Sequence, residues 1–178
     1  MALNATVFKA ELQISDMDRQ YYQHHRLTLA RHPSETDERM MVRLLAFALH
    51  ADEQLSFTRG LCVDDEPALW RKDLTGLITQ WIDVGLPHIK HLRKASHRSE
   101  QVIVYGYGGH ACELWWAKQS NALRTLNNVA AFNLAQRDTQ ALSGLAHRTM
   151  RLQCTIEDGH VWFSDDQTTV EIVPQQWR

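Results

Sequence analysis

Hydrophobic and polar residues alternate at the start of the chain. From Thr6 to Ile14, Phe8, Ala10, Leu12 and Ile14 fall on one side and Val7, Lys9, Glu11 and Gln13 on the other. This period of two predicts a strand with one buried face and one mostly wet face. After the polar Ser15–Arg19 turn, Tyr22, His24, Arg26 and Thr28 alternate with His25, Leu27 and Leu29, so the chain is expected to open with a β-hairpin. His32-Pro33-Ser34 ends the second strand, because a residue before proline disfavours the helical region and Ser34 is a good N-cap. Glu35, Asp37 and Glu38 then fall in the first helical turn. Glu38 stands above Val42, Leu45 and Leu49 at the end of the apolar stripe. The simpler account of these acids is that they favour the positive end of the helix.

Further along, Leu55–Cys62 reads as extended, Val63–Pro67 as a turn and Ala68–Arg71 as a short helical piece. Leu77–Gly85 is nearly continuous in apolar, β-branched and aromatic residues, the pattern of a central strand covered on both faces. Asp83 near its end would be held close to the core, where a carboxylate needs a cation or a donor. A basic helix over His88–His97, a strand over Gln101–Gly106, a helix over Ala111–Leu126, a strand over Asn128–Leu134 and a helix over Thr139–Thr149 follow. Strands alternating with helices imply crossovers and parallel pairing. The tail, with Leu152–Ile156, an Asp158-Gly159 turn, Val161–Phe163 and Val170–Val173, reads as a hairpin and a third strand. The pattern as a whole is that of an α/β protein with mixed α+β character.

The chain has 178 residues, no repeat and no Pro/Gly-rich linker, which predicts a single domain over 1–178. Its 19 basic and 21 acidic residues leave a net charge of -2, so no global field attracts nucleic acid or membrane and any polyanion must be bound locally. The N-terminus lacks a basic region followed by an apolar core, and no stretch approaches the roughly 18 apolar residues of a membrane span. A cytoplasmic protein with no membrane partner is expected. Cys62, Cys112 and Cys154 are odd in number and far apart, which argues against a disulfide framework or a cysteine-rich zinc site. They are expected to be small core groups or inert thiols.

The one arrangement that suggests chemistry is the order of the acids: Glu35, Asp37 and Glu38, then Asp64, Asp65 and Glu66, then Asp83, trailed by Lys90 and Lys94. Helix carboxylate, turn carboxylate, strand carboxylate and lysine are the layout of a divalent-metal phosphodiesterase site. Three adjacent acids are also what a solvated loop contains. On the basic helix Arg93, with His88, His91 and His97, could contact phosphates without base specificity, or could simply be a wet face. Tyr105 and Tyr107 could stack on unpaired bases or belong to the core. Zinc is disfavoured: His24 and His25 would point to opposite faces of a strand, and His88 and His91 have no third ligand at suitable spacing. There is no G-x-S-x-G elbow, and Gly106-Tyr107-Gly108-Gly109 lacks the G-x-G-x-x-G and Lys-Ser/Thr of phosphate loops, so it reads as a turn into a helix.

The words ARHPSETDERMMVRLLAFAL, ADEQLSFTRGLCVDDEP, WIDVGLP, the WW pair and RTMRLQCTIEDG together resemble the YaeQ family over essentially the whole chain. The resemblance implies a fold like that of restriction endonucleases and other PD-(D/E)XK nucleases: a mixed sheet flanked by helices, with additional antiparallel strands from the N-terminal hairpin and C-terminal tail. It also implies roles. Glu38 matches the helix acid, Asp65 or Asp64 the hairpin acid and Asp83 the final acid, and these would be ligands for Mg²⁺ or Mn²⁺. Here the chain departs from the pattern, because the position two residues beyond Asp83 is Gly85 rather than lysine. Lys90 or Lys94 on the next helix would then supply the water-positioning cation, with Arg93 and His91 beside it to contact nucleic acid. Two function classes follow: a metal-dependent nuclease or phosphodiesterase acting on DNA or RNA, and a noncatalytic module of the same fold that binds nucleic acid or a protein partner.

Overall fold

The computed structural model describes residues 4–178. The side chain of Cys62, and with it the expectation that this thiol is a core or inert group, lies outside the described residues. Strands β1 (Thr6–Asp16) and β2 (Tyr21–Arg31) form the expected antiparallel hairpin, with Leu12 opposite His25. Phe8, Ala10, Leu12 and Ile14 are buried, as their alternation requires.

Helix α1 spans Asp37–His50. Its cap is Thr36 rather than the expected Ser34: the Thr36 hydroxyl accepts the Arg39 N–H at 3.1 Å, while the Ser34 hydroxyl is bonded to His32. Glu35 therefore precedes the helix instead of lying in its first turn, and its side chain turns inward. Residues Met40–Ala48 are all buried, so the helix is enclosed on every side and not only along one stripe.

Strand β3 (Leu55–Phe57) is shorter than the expected extended run, and Gly60–Cys62 winds into a 3₁₀ turn. The segment expected to be a short helical piece is a strand, β4 (Leu69–Lys72). Leu69, Trp70 and Arg71 pair with Ile82, Trp81 and Gln80 of β5 (Ile78–Val84). Four residues are too few for periodicity to separate strand from helix, and pairing with a central strand decides the matter.

Helix α2 (Ile89–Arg98), strand β6 (Ser99–Gly106), helix α3 (His110–Leu123), strand β7 (Val129–Asn133) and helix α4 (Gln136–Ser143) follow, then β8 (Thr149–Glu157), β9 (His160–Ser164), β10 (Thr169–Ile172) and β11 (Gln175–Gln176). Helix α4 ends earlier than expected, and Thr149 opens β8, whose Met150, Leu152, Cys154 and Ile156 alternate into the core.

The strands form two sheets, ordered β10-β9-β8-β1-β2 and β11-β7-β6-β5-β4-β3. In the second, β5, β6 and β7 are parallel, as the alternation of strands and helices implied. In the first, β1 runs parallel to β8 with Leu12 opposite Leu152, so the tail completes the sheet begun by the opening hairpin. One core joins inward residues of both sheets to α1 and α4, including Leu12, Phe47, Ile82, Leu142 and Phe163. A second core lies under α2 and α3 around Trp81, Leu92, Val104 and Trp115. Among the described residues, no helix is long and apolar enough to cross a membrane.

Candidate functional site

The site begins at the end of β5. Trp81 and Asp83 are two apart on this strand and share a face. The Trp81 indole N–H donates to Asp83 Oδ2 at 2.8 Å. Asp83 is 8% exposed, so its charge has to be satisfied locally. Gly85 then takes a positive φ of 100° and turns the chain away from the strand. A lysine two residues beyond Asp83 would have to adopt that left-handed backbone, which only glycine takes readily. The turn leads into α2, where His88 Nδ1 accepts the Lys90 N–H as an N-cap.

One face of α2 addresses the acids. His91 Nε2 lies 2.9 Å from Asp83 Oδ2, and charge-assisted hydrogen bonds of this kind contribute roughly 1.5–3 kcal/mol. The bond to Asp83 raises the His91 pKa above its ordinary value, against the opposing effect of burial and with help from the Asp83 charge. The imidazolium is thus favoured beside the carboxylate. One turn on, Lys94 Nζ approaches Asp65 Oδ1 at 3.7 Å, both side chains being well exposed. A further turn on, Arg98 donates to the Asp65 carbonyl at 3.1 Å and lies over the Trp81 ring. Residues 91, 94 and 98 therefore bind the end of β5 and the acidic loop to a single helix face.

Of the residues singled out in the sequence, Asp65, Asp83, His91 and Lys94 come together here. Lys90 and Arg93 are exposed on other parts of α2. Glu38 is held from elsewhere: the buried Thr139 of α4 donates to its Oε1 at 2.7 Å. Its neighbour Arg39 nevertheless lines the same cleft as Asp64, Glu66, Asp83, His88 and His91, a cavity of about 340 Å³, so the first turn of α1 borders the site. Glu66 is taken by Arg59 at 2.9 Å, a bond that lowers its pKa. Tyr105 is buried, stacks on Phe132 and is hydrogen-bonded to His50, so it belongs to the core, whereas Tyr107 is half-buried beside the start of α1. Among the described residues, no three His, Cys, Asp or Glu side chains form a ready-made metal cage.

Sequence reasoning overlooked Trp81 as a partner of Asp83, Thr139 as a partner of Glu38, and the role of Glu35. That carboxylate is enclosed and accepts Arg43 Nε and Nη2 at 2.7 and 2.8 Å and Arg39 Nη1 at 2.7 Å. The available signal was Arg43 itself, a charge inside the otherwise apolar Met40–Ala48 run, which demanded a buried acid.

The fold and site define a mixed α/β protein with an acid-lined cleft at the end of the parallel strand β5, bordered by the start of a basic helix. The chain belongs to the YaeQ family: the family profile described as YaeQ protein matches residues 1–174. It is 44% identical to the YaeQ protein of Escherichia coli (strain K12) over 179 aligned positions, covering 100% of this chain and 98% of that one. It is 43% identical to the Salmonella typhi protein with the same coverage. The crystal structure of YaeQ from Xanthomonas axonopodis pv. citri superposes with a TM-score of 0.95 at 53% identity, covering 98% of both chains. That from Pseudomonas syringae gives 0.94 at 38% identity, covering 98% of this chain and 96% of the other.

Proposed function

We propose that the cleft at the end of β5 binds nucleic-acid phosphodiesters and hydrolyses them with Mg²⁺ or Mn²⁺, in the manner of the PD-(D/E)XK nucleases. The observation that carries this reading is the single helix face that holds His91 on Asp83 and Lys94 on Asp65. Asp83 lines the cleft, while Asp65 and Lys94 meet on the adjoining loop and the same helix face, which supports a shared site without closing it.

The acids of the cleft are the donor type that a hard cation prefers. Carboxylate oxygens suit Mg²⁺, which is commonly held by about one or two carboxylates together with substrate phosphates and waters rather than by an all-protein cage. Asp83 and Asp65 or Asp64 would hold it, and Glu38 of α1 would join them only by leaving its bond to Thr139. When bound, the cation supplies Lewis-acid stabilisation of the charge developing on the phosphate.

The chain's own residues do the rest. Trp81 and His91 fix the Asp83 carboxylate through Oδ2, and Oδ1 accepts no hydrogen bond from the described residues. Lys94, joined to Asp65 only by a long and exposed contact, can hold and orient the attacking water. Lys90, one turn earlier on α2, is the alternative for that role. Arg93 and the basic exposed face of α2 contact the phosphate backbone.

The test uses labelled single-stranded, duplex and branched DNA and RNA with Mn²⁺ or Mg²⁺. Asp83→Asn is expected to abolish cleavage with the circular dichroism spectrum unchanged, and Lys94→Met to lower kcat by about 100-fold or more. Intact substrates of every kind with the wild-type protein and both metals would end the enzymatic reading. One observation favours a second reading, a noncatalytic nucleic-acid-binding or protein-interaction module. Asp83 is already satisfied by Trp81 and His91. A module of that kind would bind oligonucleotides equally well in EDTA and in Mn²⁺ and cleave none.

A further inference from the structure

We infer that Arg39 is a phosphate-binding residue of this cleft, its guanidinium held in place by Glu35. The inference rests on the phosphodiester reading above and adds to it a residue and a contact.

Arg39 stands in the first turns of α1 and lines the cleft with Asp83, His88 and His91. Its Nη1 donates to Glu35 Oε1 at 2.7 Å, with side chains 18% and 2% exposed respectively. Glu35 does not need this second arginine. Arg43, 3% exposed, already engages both of its oxygens through Nε at 2.7 Å and Nη2 at 2.8 Å, the bidentate fork that best satisfies a carboxylate.

One carboxylate and two guanidiniums leave a net positive charge. Arg43 is enclosed, with Nη2 also donating to the Ala30 carbonyl at 3.2 Å, so the surplus charge is presented by Arg39. Of the three acids that line the cleft, Asp64, Glu66 and Asp83, the last two are already held by other cations. Glu66 is paired with Arg59 and Asp83 with His91, and among the described residues the one ion pair of Arg39 is with Glu35.

An arginine anchored through one nitrogen keeps the rest of its planar donor set for a ligand, and that fork matches two phosphate oxygens. Because the side chain is already ordered by Glu35, binding costs it little further conformational entropy. The chemistry selects a phosphate rather than a carboxylate ligand here, since the cleft also holds the acids that would take the cation bridging to a phosphodiester.

The experiment measures binding of a fluorescein-labelled single-stranded oligonucleotide by anisotropy, in EDTA and over a range of salt concentrations. Arg39→Gln is expected to weaken binding at least tenfold, equally for different sequences. It should also reduce the slope of log K against log salt by about 0.7, the change for one lost phosphate contact on a single strand. Arg39→Lys should restore the slope but only part of the affinity, because a lysine lacks the fork. As a readout on the unaltered protein, the Arg39 Nε–H resonance should shift when the oligonucleotide is added. An unshifted resonance, or an Arg39→Gln protein with wild-type affinity and slope and only a lower Tm, would show a merely structural ion pair and overturn the inference while leaving the phosphodiester reading standing. A wild-type protein that binds no oligonucleotide even at low salt would overturn both.

Discussion

His50 and Tyr105 show how one buried contact sets a pH dependence. His50 Nε2 and the Tyr105 hydroxyl are hydrogen-bonded at 2.6 Å in the interior, where burial favours the neutral imidazole. Burial first, and then the charges of Arg19 and Arg71, bring the His50 pKa down from 6.5 to about 4. The unfolded chain therefore takes up a proton on His50 below its ordinary value of 6.5, and the folded chain does not until about 4. Stability from this residue is fully present above that window and is lost as pH falls through it. Urea denaturation from pH 7 to pH 4 should show a decline that His50→Gln makes shallower by up to one proton's worth of slope, and an identical decline in the variant would refute the assignment. At this scale the sequence was partly legible. Asp83 stood out because it ends an apolar strand. Its partners did not: His91 was visible as a basic-helix residue and Trp81 as a core residue, but the bonds to Oδ2 depend on how the Gly85 turn aims α2. Glu35 and Glu38 were read together as first-turn acids, yet a start only slightly later places Glu35 outside the helix and buried, and leaves Glu38 to Thr139.

At the scale of elements, the start of α1 offers a direct comparison between what the sequence suggested and what the fold uses. Ser34 and Thr36 are both good capping residues, and only the backbone of the His32–Glu35 turn decides between them, with the Glu35 N–H bonded to the His32 carbonyl. Thr36→Ala should cost about 1 kcal/mol, the usual worth of a cap, whereas Ser34→Ala should leave the unfolding midpoint nearly unchanged. Equal effects in urea titrations would contradict the cap assignment. Long periodic elements, the opening hairpin, α1, β5, α2 and β6, were legible because hydrophobic spacing over many residues has one reading. β4 was not, since its four residues become a strand by pairing with β5. The C-terminal limit of α4 was missed because the apolar residues between Leu142 and Met150 serve the helix end and then β8.

For the whole molecule, the sequence revealed the strands of the tail but not their destination. The parallel pairing of β1 with β8 joins segments far apart along the chain, and nothing local encodes it beyond two alternating faces of compatible apolar character. The same pairing leaves β5, β6 and β7 in a separate sheet, and the end of β5, with Arg39 of α1, the loop of residues 60–68 and the start of α2, lines the cleft. The proposed divalent-cation site for phosphodiesters lies in this cleft. Crystals soaked in Mn²⁺ and measured at the manganese absorption edge test it most directly. A cation held as proposed gives an anomalous peak in contact with carboxylate oxygens of Asp83 and Asp65, with Lys94 released from Asp65 toward the bound solvent. A map with no peak there, His91 and Lys94 still resting on the same acids, would contradict it.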